Sequence, residues 1–150
     1  MPELNTVAMT PPKAAEWERE QLAAFHKAAG DAMRLDILRI LRNDSLGVQE
    51  LASIFSMAQP GMSHHLKVMT SAGLLDSRRQ GNSIFYRRAT IRGTNQLSRL
   101  QSSLFAEVDR LPIDDELLAK IGGIYRLRSD RSQSFFEKNA SRLSLNEGIL

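Results

Sequence analysis

The segment from Val48 to Ala89 constrains this chain more than any other, because three local signals follow one another there with little chain between them. Val48 to Phe55 places Leu51, Ala52 and Phe55 at helical spacing, which predicts a short helix that buries those three side chains. Ser56-Met57-Ala58 leaves room only for a tight connection. Gln59-Pro60 then opens a second helix. Proline is tolerated in a first turn because its missing N–H would have no intrahelical partner there. This helix is expected to run to about Ala72 and to stop at Gly73. Leu74 to Gln80 and Ser83 to Ala89 read as two strands, joined at Gly81-Asn82, where both residues tolerate positive φ.

The flanks are helical as well. Residues 1–13 contain Pro2, Pro11 and Pro12 and no apolar period, and are expected to form a flexible N-terminal arm. Residues 14–29 place Trp17, Ala24, Phe25 and Ala28 near helical spacing, and Gly30 ends that helix. Asp31 is a good N-cap for a core helix from Ala32 to Arg42 that carries Leu35, Leu38 and Leu41. Thr94 to Arg110 is amphipathic, with Leu97, Leu100, Leu104, Val108 and Leu111 spaced 3, 4, 4 and 3 apart, and Pro112 breaks it. Asp114 to about Asn139 reads as a further helix, weakened by Gly122-Gly123; the polar tail after Ala140 is unassigned. The expected fold is therefore mainly α with a β-hairpin wing (α+β). Residues 1–13 form the arm, 14–92 a winged helix-turn-helix, 93–111 a dimerisation helix and 112–150 a C-terminal helical extension and tail.

Charge sharpens the functional reading. The net charge is +3, but residues 59–92 hold Lys67, Arg78, Arg79, Arg87, Arg88 and Arg92 against Asp76 alone, a local balance of +5. A polyanion would be drawn to that segment. A solvated basic face is the plain alternative. An α-helix fits the major groove of DNA, and side chains near its N-terminus reach base edges. Gln59, Pro60, Gly61, Met62, Ser63, His64, His65 and Lys67 occupy that position here. Arg78, Arg79, Gln80, Asn82 and Arg87 make the hairpin a basic wing for phosphates or a neighbouring minor groove. Trp17, Phe25, Leu97, Leu100, Leu104 and Val108 are the expected dimer interface, because a small winged domain has few other places to bury a second amphipathic helix.

Taken in order, several segments resemble the ArsR/SmtB family of regulators. They are Phe25-His26-Lys27-Ala28-Ala29-Gly30-Asp31, Arg34-Leu35-Asp36-Ile37-Leu38, Gln49-Glu50-Leu51-Ala52, Gln59-Pro60-Gly61-Met62-Ser63-His64-His65-Leu66-Lys67, Ala72-Gly73-Leu74-Leu75 and Arg79-Gln80-Gly81-Asn82. The resemblance covers about residues 20–90. It implies a symmetric dimer, formed by the first and last helices, that binds promoter DNA, usually represses, and lets go when an inducer binds. Two departures stand out. Many members carry a cysteine-containing metal box where this chain has Gly47-Val48-Gln49-Glu50-Leu51, and the residue before Gln59-Pro60 is often serine where this chain has Ala58. Tyr125-Arg126-Leu127-Arg128-Ser129 and Arg131-Ser132-Gln133-Ser134-Phe135-Phe136-Glu137 resemble the connector of ArsR-type regulators fused to S-adenosylmethionine-dependent methyltransferases. That resemblance implies a small organic effector such as S-adenosylhomocysteine.

Other classes find little support. Cysteine is absent, which removes disulfides, thiolate metal sites and thiol nucleophiles together. The three histidines are His26, His64 and His65, and the adjacent pair points in different directions on one helix, so no metal site is expected. No nucleophile elbow, phosphate loop or dinucleotide fingerprint occurs, so no enzyme activity and no cofactor are expected. No apolar run is long enough to span a bilayer, and the first residues lack a secretory pattern, so the cytoplasm is the expected compartment and no membrane partner is expected. Two alternatives stay open: a truncated relative of a regulator–methyltransferase fusion, and a winged domain used only for protein contacts.

Overall fold

A computed structural model describes residues 12–93 and 96–147, with side chains from 18 to 93 and from 96 to 140. The elements in chain order are α1 (Pro12–Ala29), α2 (Ala32–Ile40), β1 (Leu46–Gly47), α3 (Val48–Ile54), α4 (Gln59–Ser71), β2 (Leu75–Gln80), β3 (Ser83–Arg88), α5 (Gln96–Val108) and α6 (Asp115–Glu147). Residues 1–11 of the expected arm lie outside the described residues, and α1 already begins at Pro12.

Local chemistry explains most boundaries. The Asp31 carboxylate accepts a hydrogen bond from the Arg34 amide at 3.2 Å and so caps α2. Glu50 reaches back to the Gly47 N–H at 2.9 Å, which supplies half of a capping box for α3 even though Gly47 has no side chain to return. At the end of α4, Gly73 takes φ +80° and the Leu74 N–H bonds the Met69 carbonyl at 3.0 Å, a Schellman closure. The turn between α3 and α4 closes in the same way, from Met57 N–H to the Ala52 carbonyl at 2.9 Å. There the left-handed position is Ser56, at φ 51°, where glycine is the usual occupant.

The sheet is antiparallel in the order β1-β3-β2. β2 pairs with β3 from Leu75↔Arg88 to Gln80↔Ser83, and β1 adds Leu46↔Tyr86 and Gly47↔Phe85. At the hairpin tip only Gly81 has positive φ, +63°; Asn82 does not. The turn therefore follows the pattern with glycine at its first central position, and not one with two left-handed residues.

One core joins the helices to the sheet. Ile37, Leu38 and Leu41 meet Leu51, Ile54, Met62, Leu66, Met69, Leu74 and Leu75, with Phe25 and Ala28 from α1 and Phe105 and Val108 from α5. In α3 Leu51 and Ala52 are buried as expected and Ile54 joins them, while Phe55, expected in the core, is only half-buried against it. Helix α6 departs most from expectation. It passes through Gly122-Gly123 unbroken and extends to Glu147, beyond the Ala140 boundary. Leu117, Ile121 and Ile124 pack on the core and hold it there, so tertiary burial outweighs a penalty of about 1 kcal/mol per glycine. It runs antiparallel to α3: Lys120 donates to Ser56 Oγ at 2.6 Å, and Arg128 grips Glu50 at the other end.

Candidate nucleic-acid interface

Helix α4 divides its side chains cleanly. Met62, Leu66 and Met69, at spacings that share one helix face, are fully buried. Gln59, Pro60, Gly61, Ser63, His64 and Lys67 are exposed, and His65 is half-buried. Met62 is therefore removed from the set of expected DNA contacts, because its side chain belongs to the core. Gly61 lets α4 start close against the preceding turn: a Cβ there would sit 3.3 Å from Met57 Sδ.

The wing obeys strand alternation. Arg78, Gln80 and Arg87 lie on one face of the hairpin and Arg79 on the other, and all four are exposed, as is Asn82 at the tip. Arg78 faces Phe85 across the strands and Asp76 faces Arg87. Arg92 joins Arg78, Arg87, Asp76, Thr70 and Phe85 around an open cavity of about 610 Å³ beside the wing.

Arg88, next along β3, behaves differently. It points inward, donates to Asp109 through Nη1 at 3.1 Å and Nη2 at 2.6 Å, and donates to the Leu38 carbonyl at 2.8 Å. Its guanidinium carbon lies 4.9 Å from the centre of the Phe105 ring. Arg42 adds a second cation 3.5 Å from Asp109. The Arg88 hydrogen bonds hold the Asp109 carboxyl below the usual carboxylate range, against the opposing effect of partial burial.

Two further sites escaped the sequence reading. Arg128 of α6 makes a two-point pair with Glu50, with Nε at 2.7 Å from Oε2, and also donates to the Ser45 carbonyl at 3.0 Å. Burial pushes the Glu50 carboxyl up, but the Arg128 and Gly47 hydrogen bonds outweigh it and the net shift is downward. Tyr125 donates to Asp44, and burial together with that carboxylate pushes its hydroxyl up to about 12. The other missed residue is Arg34, whose guanidinium bonds His65 of α4. Its signal was its spacing: Arg34 shares the apolar face of Ile37, Leu38 and Leu41.

The expected dimer residues divide as well. Phe25 and Val108 are buried in the core of the single chain, so they are not available as interface side chains. Leu97 and Leu104 are partly buried against the same core, and Leu100 is exposed. The Trp17 side chain lies outside the described residues. Among the described residues, no group of three or more potential metal-ligating side chains comes together, and no helix is long and apolar enough to cross a membrane.

Residues 31–77 match the model of the family "Bacterial regulatory protein, arsR family". An uncharacterised helix-turn-helix-type transcriptional regulator of Methanocaldococcus jannaschii is 38% identical over 68 residues, 45% of this chain and 76% of the relative. The biofilm growth-associated repressor of Agrobacterium fabrum is 31% identical over 96 residues, 64% of this chain and 79% of the relative. Among solved structures, a homodimeric winged helix-turn-helix DNA-binding domain from Mycobacterium bovis superposes with a TM-score of 0.54 at 28% identity, covering 70% of this chain and 93% of that one. Mostly helical, with a reading-type helix beside a β wing and relatives that are regulators over the same segment, this chain belongs to the ArsR family of bacterial winged helix-turn-helix transcriptional regulators.

Proposed function

We propose that this protein is a homodimeric repressor of the cytoplasm that binds promoter DNA specifically and is released by a small organic effector. One observation carries the reading: the exposed face of α4 is polar, and the wing that follows it presents Arg78, Arg79 and Arg87 without a carboxylate partner among the described residues. In this reading Gln59, Ser63 and His64 meet base edges, while Lys67 and the wing arginines meet phosphates. Selection of bound genomic fragments followed by a salt titration tests it. Specific sites outcompete bulk DNA, and affinity falls steeply with salt. Failure to retain any fragment at low salt would remove the reading.

The dimer is proposed on the homodimeric relative and on Leu22 and Leu100, which stay exposed on α1 and α5. Sedimentation showing a monomer at micromolar concentration would count against it. The effector is proposed to be organic because the chain has no thiol. The cavity beside the wing suits an organic molecule that carries a carboxylate, and its Arg78 and Arg87 are the side chains assigned to phosphates. Occupancy there would compete with DNA. S-adenosylhomocysteine is the first compound to titrate, with calorimetry as the readout; zinc, tested in parallel by equilibrium dialysis, is expected not to bind. A second reading, action through protein partners, draws on Phe135 and Phe136 of α6, which are 66% and 75% exposed. It predicts that truncation after Arg128 leaves DNA affinity intact and abolishes regulation.

A further inference from the structure

Arg34 carries a charge yet is 8% exposed. Among the described residues no carboxylate stands within ion-pair distance of it. Its guanidinium spends its donors elsewhere. Nη1 bonds the Lys27 carbonyl of α1 at 3.1 Å, and Nε bonds Nδ1 of His65 at 3.0 Å. A guanidinium has donors only, so His65 Nδ1 must be the acceptor. The neutral ring then carries its proton on Nε2. Among the described residues that nitrogen has no partner, and it is not sealed from solvent, since no buried side-chain nitrogen or oxygen there lacks a hydrogen bond.

We propose that Arg34 is a positioning residue for DNA binding, which holds His65 in the Nε2–H form so that the ring offers a fixed donor to a phosphate oxygen of the duplex. The inference rests on the reading of α4 as the groove-entering helix. Phosphate is favoured over a base by position. Successive residues turn about 100° around a helix, so His65 sits beside the buried Met62–Leu66–Met69 stripe while His64, assigned above to base edges, occupies the far side. A side chain on the flank of a helix in the groove meets the sugar-phosphate wall and not the floor. An imidazole free to exchange tautomers would present a lone pair to that phosphate part of the time. A bond from a cation that can never accept removes that state.

Three substitutions test the parts separately. His65→Asn puts a carbonyl oxygen near the place of Nδ1, keeping the bond from Arg34 and losing the outward donor. His65→Gln puts an amide N–H near the place of Nε2. Arg34→Met removes the fixing bond. Nitrogen-15 spectra of the imidazole are expected to show one tautomer, protonated at Nε2, in the native protein and a mixture in Arg34→Met. His65→Asn is expected to weaken binding to specific and random duplexes alike, by about tenfold, with His65→Gln within about threefold of native. Thermal melts identify a variant that fails to fold, and the His65 pair keeps the test decisive if Arg34→Met does. A native ring protonated at Nδ1, or native affinity in His65→Asn, would overturn this proposal and leave the regulator reading standing. A native protein that binds no duplex would overturn both.

Discussion

Arg87 and Arg88 are neighbours on β3 with opposite fates, and the wing and its root differ as they do. Arg87 stands on the outer face of the hairpin, exposed, across from Asp76. Arg88 is turned by strand alternation into the junction of β3, α2 and α5, where Asp109, the Leu38 carbonyl and the Phe105 ring take up its donors and its flat face. The same side chain is thus a solvated charge free to meet a polyanion in one place and a structural clamp one residue later. A count of basic residues cannot separate these roles; the parity of the strand and the presence of a carboxylate do. Helix α6 repeats the lesson, with Arg128 clamped on Glu50 while Arg126 and Arg131 stay exposed.

The sharpest way to break the contrast is at the root. Asp109→Ala leaves Arg88 largely buried without its carboxylate and is expected to lower the free energy of unfolding by about 3 kcal/mol in urea titrations. Replacing both partners by apolar residues of similar size is expected to recover most of that loss. An Asp109→Ala protein as stable as the native one would show that Arg88 is no clamp. The same pair responds to pH. The Asp109 carboxyl titrates lower in the folded chain than in the unfolded one, so its contribution is present above the ordinary aspartate value and fades as pH falls through the folded one. Melting temperature is therefore expected to fall below about pH 4, and less so in Asp109→Asn.

Next in size is the clamp on α6. Glu50→Gln weakens the Arg128 pair and the cap of α3 together, at a cost of about 2 kcal/mol, and its combination with Arg128→Gln should cost less than the sum. At the wing the signature reverses. Arg79→Ala and Arg87→Ala are each expected to leave melting unchanged, to weaken DNA binding severalfold, and to reduce the salt slope by about 1. A large loss of stability in Arg87→Ala would show that Arg87, like Arg88, is a structural clamp. The smallest effect is expected at Gly123, where an added Cβ meets nothing within 4 Å. Gly123→Ala should stabilise the chain by about 0.5–1 kcal/mol without touching DNA affinity.

Much of this architecture was legible in the residues because it is written in local chemistry. Asp31 capping α2, Pro60 opening α4, Gly73 closing it and Gly81 turning the hairpin are decisions taken within a few residues of chain. What escaped was tertiary. Nothing local marks Asp109 as the partner of Arg88, or Glu50 as the partner of Arg128 across 78 positions. The leucine period of α5 was visible, but not which of its faces the single chain would consume, and so Phe105 and Val108 entered the core while Leu100 did not. Met62 was misplaced for a similar reason: the buried stripe of α4 is fixed by how the helix is rolled onto α3. Helix α6 outran its own propensities because its apolar stripe found a core to lie against.

Ala58 offers no side chain to the start of α4, so the amides of Gln59 and Gly61 have neither a cap nor an intrahelical acceptor. A hydroxyl at that position would satisfy one of them and steady the free protein. By leaving the helix mouth bare, the chain gives up about 1 kcal/mol at the entrance to α4, and the buried Met62 one turn on, not a cap, is what anchors that end.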